Sequence, residues 1–499
     1  MDNLLPNLLS FPPHPPPPNP MSDHAYDSGI RDQIDYVKKL SDSKLLQQTS
    51  GGENVLDVIN PALNTVPYTF ILLANLSALN KNAKGIDMEK IWGKSITFLG
   101  TFDPRQMRYL GDQLSSIIDA VASIAMSKRQ PWAAIAPIRD ALLRLDPTGS
   151  MLTTTHLALV KLALDTRTYS PIVPVIEKFI LYFPGTSNQP KPKYICDMNL
   201  NPTQFITPAS GLTQKFKYQE VLEYFLYSGM VFIGLNKWEL ALQCLENAVT
   251  YPAKEGSVSK IMAEAYKKWV LVGLLHEGRL LSLPRSTSSN AAKQYHTLAK
   301  PYETLAQIFE SGTASRLKAE ADQGVTVWRN DCNTGLVLHV LAAYQQFQIR
   351  NLANIYSKIS IPEIVSQTMS AETGSKLQSP QAGEALVQGM INRGELHATM
   401  SSSPGHPSIV TFAVGGPVLT EADMQRVLGA ATERIHTLTK EIKQTDRMLT
   451  HDKDYIKFIQ KQKKNAKQGG LVDQGISGAD MNMDWGDAVE DEDIMSNLY

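Results

Sequence analysis

Through most of the chain, apolar residues recur three and four positions apart, the period of helices with one buried face. The clearest run is YFLYSGMVFIGLNKWELALQCLENAVTYP at 224–252. Tyr224, Leu226, Tyr227, Met230 and Val231 mark a first helix, Gly234 to Lys237 a turn, and Trp238 to Val249 a second helix. Two earlier stretches follow the same plan. Asp103 caps a helix opened by Pro104, with Gln106 in the reciprocal capping position. Leu110, Leu114, Ile117, Ile118, Val121 and Ala125 continue that helix, and Trp132, Ile135, Ile138, Leu142 and Leu145 build its partner. Leu157, Val160, Leu162 and Leu164 then lead through Tyr169 to Val173, Ile176 and Ile180. The units close on Pro147, Pro184 and Pro252, spaced by 37 residues and then by 68, nearly two units but filled by a polar insertion at 185–215. A period in the mid-thirties with small residues near the turn is tetratricopeptide-like. Each hairpin leaves an apolar face that a neighbouring hairpin must cover. The pattern predicts a mainly α chain, with a right-handed tetratricopeptide-like solenoid over 29–330.

Helical character continues through 261–275 and 290–311, and 333–347 and 349–357 read as two short helices. The β-branched KISI (358–361) follows, and Pro362 opens another helix. Ser379 and Pro380 are an N-cap and a first-turn proline for QAGEALVQGMINR, which Gly394 can terminate. Leu396, Ala398 and Met400 alternate as in a half-buried strand, SSSPGHPS is a turn, and IVTFAV (409–414) is the returning strand. Helices before a two-stranded ribbon predict a winged helix over 331–415. The ribbon's last strand would leave an unpaired edge, which makes Ile409, Val410 and Phe412 candidate interface residues.

Thr420 and Asp423 start one long helix, expected over 420–465. Met424, Leu428, Ala431, Ile435, Leu438, Ile442, Thr445, Leu449, Asp452, Ile456 and Ile459 alternate spacings of four and three, and nine of these eleven are apolar. Such a seam packs against other helices. A helix on the order of 60 Å long exceeds what the winged helix could cover, so its partner is expected largely outside this chain. Leu428, Ile435, Leu438, Ile442, Leu449 and Ile456 are therefore the second set of candidate interface residues.

Composition changes this picture at the ends. FPPHPPPPNP (11–20) cannot be helix or central strand, so residues 1–28 are expected to be a disordered, polyproline-like tail. The last twenty residues hold seven acids and no Lys or Arg, so 466–499 is expected to be disordered too, with Trp485 as an anchor if a basic groove is met. Over all 499 positions, 43% hydrophobic and 19% charged residues describe a globular chain of several units. A net charge of −1 gives no general field for nucleic acid or membrane. Cys196, Cys244 and Cys332 lie far apart with no CxxC spacing, which suggests neither a disulfide framework nor a zinc site.

Catalytic chemistry is not visible. GKS at 93–95 echoes the end of a phosphate loop, but Met88 stands where that motif needs glycine. No HExxH, HxH or GxSxG occurs. Cys244 and His339 read as packing residues of amphipathic helices, and Trp238, Tyr224 and Tyr227 as helix-packing fill rather than a pocket wall. No metal or cofactor is expected. Nucleic-acid binding by the winged helix is the reading of another class; Arg393 is the only positive charge of 380–393 and the wing has none, too few for phosphate contacts.

Helical repeats running into a winged helix and then a long helix resemble the PCI-domain scaffold subunits of the proteasome lid, the COP-nine signalosome and translation initiation factor three. The closer resemblance is to the family of signalosome third subunits. It rests on YFLYSGMVFIGLNKWELALQCLENAVTYPA (224–253), SKIMAEAYKKWVLVGLL (259–275), NTGLVLHVLAAYQQFQIRNLANIYSKISIPEI (333–364) and AGEALVQGMINRGELHATMSSSPGHPSIVTF (382–412). The resemblance implies a non-catalytic subunit in the nucleus and cytoplasm that supports removal of the ubiquitin-like modifier from cullins, and so acts indirectly on cullin-RING ligases. Its implied partners are other signalosome subunits, met through winged-helix edges and a bundle of C-terminal helices. A proteasome-lid or initiation-factor subunit would differ only in its partners.

Overall fold

The computed structural model describes residues 3–13, 21–81, 83, 86–184, 192–252, 258–402, 407–413, 420–450, 455–457 and 459–460. The acidic tail with Trp485, and parts of the proline run, the 185–215 insertion and the wing, lie outside the described residues.

Helices dominate. The repeat region contains α1 (Asp23–Lys38), α2 (Thr65–Asn80), α3 (Met88–Thr101), α4 (Gly111–Ser127), α5 (Ile135–Leu145) and α6 (Thr154–Thr166). It continues with α7 (Tyr218–Gly234), α8 (Trp238–Thr250), α9 (Lys260–Glu277), α10 (Ser289–Leu298), α11 (Lys300–Ser311) and α12 (Ala314–Gln323). Successive helices pack on one another, α5 on α6, α6 on α7, α7 on α8 and α8 on α9, as hairpins must when each exposes one apolar face. One continuous core runs from Leu8 to Ala371. The turn between α7 and α8 is tight. Asn236 adopts a left-handed conformation, and Gly229 lets α7 approach Leu245 of α8, where a Cβ would lie 2.9 Å from the leucine side chain.

Three expectations are corrected here. The N-terminus is not a loose tail over its described part: Leu8 and Phe11 are buried in the core. Gln33 donates to the Leu8 carbonyl and Asn64 to that of Phe11. Phe11 sits against Gly29, where a Cβ would come within 2.4 Å of its ring. The helix capped by Asp103 stops at Met107, and α4 begins afresh at Gly111. The break is imposed by the described part of the insertion. Arg105 donates to the Cys196 carbonyl and Arg108 to those of Ile195 and Asp197, while Gly111 faces Ser210 so closely that a Cβ would lie 2.2 Å from its carbonyl oxygen. Trp132, expected on the buried face of α5, lies in a short 3-10 turn and is exposed.

Beyond α12, the expected pair of short helices is a single helix, α13 (Thr334–Leu352), because Gln348 offers no break between them. Its first half contributes Val337, Val340, Leu341 and Tyr344 to the large core, and its last turn contributes Ile349 and Leu352 to a second, smaller core. The sequence boundary at 331 therefore does not separate two packing units. The small core is completed by α14 (Ile361–Gln367), α15 (Pro380–Asn392) and a three-stranded antiparallel sheet. The strands are β1 (Lys358–Ser360), β2 (Ala398–Ser401) and β3 (Ile409–Phe412), in the order β1-β3-β2. Ser379 caps α15 through the Ala382 N–H, and Gly394 follows it with a φ of 72°.

Residues 413–499 form a separate unit, described through α16 (Glu421–Thr450) and the short helical segment 455–457. Thr420 accepts from the Asp423 N–H at its start. The expected extent to 465 runs beyond the described residues.

Candidate functional site

The sequence-selected residues fall into two groups with different fates. Ile409, Val410 and Phe412 stand on β3, which was expected to be the free edge and is the central strand. Its partners are β2 on one side, with Met400 opposite Val410, and β1 on the other, with Ile359 opposite Val410. The Phe412 N–H donates to the Ser357 carbonyl and the Ile361 N–H to that of Ser408, closing the β1 side. The KIS segment supplies the missing strand. Val410 and Phe412 are core residues at 0% and 4% exposure, and only Ile409, at 42%, reaches the surface. The edges open to strand addition are those of β1 and β2.

The residues of the expected seam up to Leu449 lie on α16. Leu428, Ile435 and Ile442 recur every seven residues and are 65%, 65% and 57% exposed; Ile456 also lies exposed. Leu438 and Leu449 are half-buried. Exposed leucine and isoleucine in one row are unusual for a helix surface, where apolar residues are ordinarily scattered singly. Each such side chain, once covered, contributes about 1.5–3 kcal/mol. The flanking positions carry Lys440, Lys443, Arg434 and Glu433, so the helix is wet on its other faces.

The remaining candidates are structural. Lys94 of the GKS stretch is mid-helix on α3, paired with Asp57 at 2.6 Å and donating to the Leu56 carbonyl, while Ser95 bonds the Ile91 carbonyl. No phosphate cradle exists there. Burial pushes the Cys244 thiol up to about 12, which makes it inert as a nucleophile. Tyr224 is buried and meets His156 edge to face. Trp238 departs from the expectation: it lies against His339, ring centroids 6.3 Å apart, at the wall of a cleft. Among the described residues no cluster of His, Cys, Asp and Glu is placed to hold a metal, and no helix is long and apolar enough to cross a membrane.

A buried polar network joins α9, α11 and the start of α13, and its signal in the sequence was only scattered tyrosines and acids. Tyr302 donates to Asp331, which also pairs with Lys267 at 2.7 Å; Asn333 donates to Tyr302 and accepts from Lys268, which pairs with Glu264. Fully satisfied networks of this kind fix one arrangement of helices. The site can position helices; it presents no nucleophile and base together. Just after α15, Arg393 is held bidentate by Glu395 at 2.9 Å, and on the helix Glu384 accepts from Ser408. That surface offers a phosphate backbone little.

Comparison with known proteins agrees with the repeats. Residues 28–291 match the family described as COP9 signalosome complex subunit 3, N-terminal helical repeats. Two relatives align end to end. COP9 signalosome complex subunit 3 of Emericella nidulans is 34% identical over 508 aligned positions, covering 100% of both chains. The protein of the same name from Neurospora crassa is 33% identical over 508 positions, covering 100% of this chain and 99% of its own. The chain belongs to the COP9 signalosome subunit 3 family. The insertion that pins Arg105 and Arg108 falls inside the span matched to the family's helical repeats.

Proposed function

We propose that the chain is a non-catalytic scaffold subunit of a COP9 signalosome, supporting removal of the ubiquitin-like modifier from cullins by holding other subunits in place. In this reading the helical repeats form a right-handed solenoid, and α14, α15 and the sheet form a winged helix of the PCI type. The α16 seam joins a bundle of helices from other subunits, and the edges of β1 or β2 extend the sheet to a neighbour. The observation that carries the reading is the row Leu428, Ile435 and Ile442, left exposed on a helix whose period asks for a partner. A scaffold also accounts for a chain whose polar chemistry is spent on joining its own helices.

The test is co-purification. A chain lacking 421–499 should remain folded, because the two cores lie before residue 413, and should no longer be retained by tagged partner subunits. Retention of the truncated chain at the level of the full one would overturn the bundle.

A further inference from the structure

One face of α13 belongs to neither core. His339, Ala342, Gln346 and Arg350 recur at spacings of three and four and are exposed or half-buried, while Val340, Leu341 and Tyr344 point into the core. Opposite that face stand Trp238 at the start of α8, Leu275 and His276 near the end of α9, and Arg393 and Glu395 after α15. Together they bound a cleft of about 620 Å³. From His339 to Arg350 the helix advances roughly 16 Å, which is three turns, enough for the i to i+7 anchors of a docked peptide helix.

The chemistry of the cleft is specific. Its apolar lining is Trp238, Leu275, Ala342, Ala343 and Phe347. Phe347 is fixed from behind by Gly278, whose left-handed conformation and missing Cβ let the ring approach; a Cβ there would lie 2.6 Å from it. The Arg350 guanidinium stacks 5.0 Å from the Phe347 centroid and has no ion pair among the described residues. The single lining carboxylate, Glu395, is already taken by both arms of Arg393. The cleft therefore presents two guanidiniums and two imidazoles against one occupied carboxylate. One unpaired guanidinium is too little for a phosphate backbone, but it suits a carboxylate beside an apolar anchor.

We propose that this cleft docks a short acidic helix of a partner protein, seating a tryptophan side chain between Trp238 and Phe347 and a carboxylate on Arg350. It is a second contact surface, independent of the α16 seam. The probe is a fluorescein-labelled synthetic peptide, EEDWEELLDEL, titrated with the full chain and read by anisotropy. Saturable binding is expected, weakened at least tenfold by Arg350→Glu and also by His339→Glu, and unchanged by Arg129→Glu, an exposed arginine outside the cleft. A probe with alanine for tryptophan should bind at least tenfold more weakly. Arg350→Ala, which keeps the helix and removes the guanidinium without reversing its charge, carries the test if the reversal perturbs folding. Absence of saturation up to about 1 mM protein, equal affinity for the arginine variants, or equal affinity for the tryptophan-free probe would overturn the proposal.

Discussion

Helices α9 and α16 make opposite use of their apolar residues. On α9, Tyr266, Trp269, Val270, Leu271, Val272 and Leu274 are buried nearly all round, because α8, α11 and α13 press on it from several sides. On α16 a row of apolar residues recurs every seven positions, and its Leu428, Ile435 and Ile442 stay more than half exposed. A helix clothed on every face is completed by its own chain. A helix with one bare seam is, in the proposed reading, completed by other subunits. Stability should therefore depend on the first, and assembly on the second.

The largest effect on stability should come from the α9 side. Trp269→Ala removes a fully buried indole stacked on Tyr266, and should cost about 3–5 kcal/mol in urea unfolding followed by circular dichroism. A cost below about 1 kcal/mol would mean that α9 is not the centre of the core.

His156 gives a pH-dependent version of the same test. Its ring is buried at the start of α6, with the Thr153 N–H donating to Nδ1 at 3.2 Å, and burial alone holds its pKa down to about 4. The folded chain keeps the ring neutral, so the unfolded chain takes up the proton first as pH falls. The contribution is complete above about 6.5 and is lost progressively toward 4. Between pH 7 and pH 5 this one residue should account for roughly 2 kcal/mol of lost stability. The loss of the parent over that interval should exceed that of His156→Gln by this amount; identical losses would show that His156 is solvated.

A smaller effect tests the insertion. Gly111→Ala places a methyl group against the Ser210 carbonyl, and should cost about 1–3 kcal/mol while exposing 192–215 to limited proteolysis. Unchanged protease resistance would mean that the insertion is held without this close approach.

The two regions also differ in how much of them could be read from the sequence. The hairpin α7–α8 and the α16 seam announce themselves through spacing alone, since a 3.6-residue period is local information. The features missed depend on distant partners. Leu8 and Phe11 are isolated apolar residues beside prolines, and only Gly29, Gln33 and Asn64 make them core. The break between Met107 and Gly111 interrupts an unbroken apolar period, because Arg105 and Arg108 turn to hold the insertion. β1 is three residues long, too short for alternation to show, yet its pairing moves β3 from the edge to the centre. The α13 stripe from His339 to Arg350 was present as a pattern, but its meaning needed Trp238 and Arg393 brought opposite.

The central claim is that the α16 seam is completed by partner helices. The most direct measurement is a triple substitution, Ile435→Asp, Leu438→Asp and Ile442→Asp, assayed twice: for retention by tagged partner subunits and for unfolding of the isolated chain. The account predicts that retention falls at least tenfold while the unfolding free energy of the isolated chain moves by less than about 0.5 kcal/mol. Normal retention, or unfolding of the isolated chain, would contradict it.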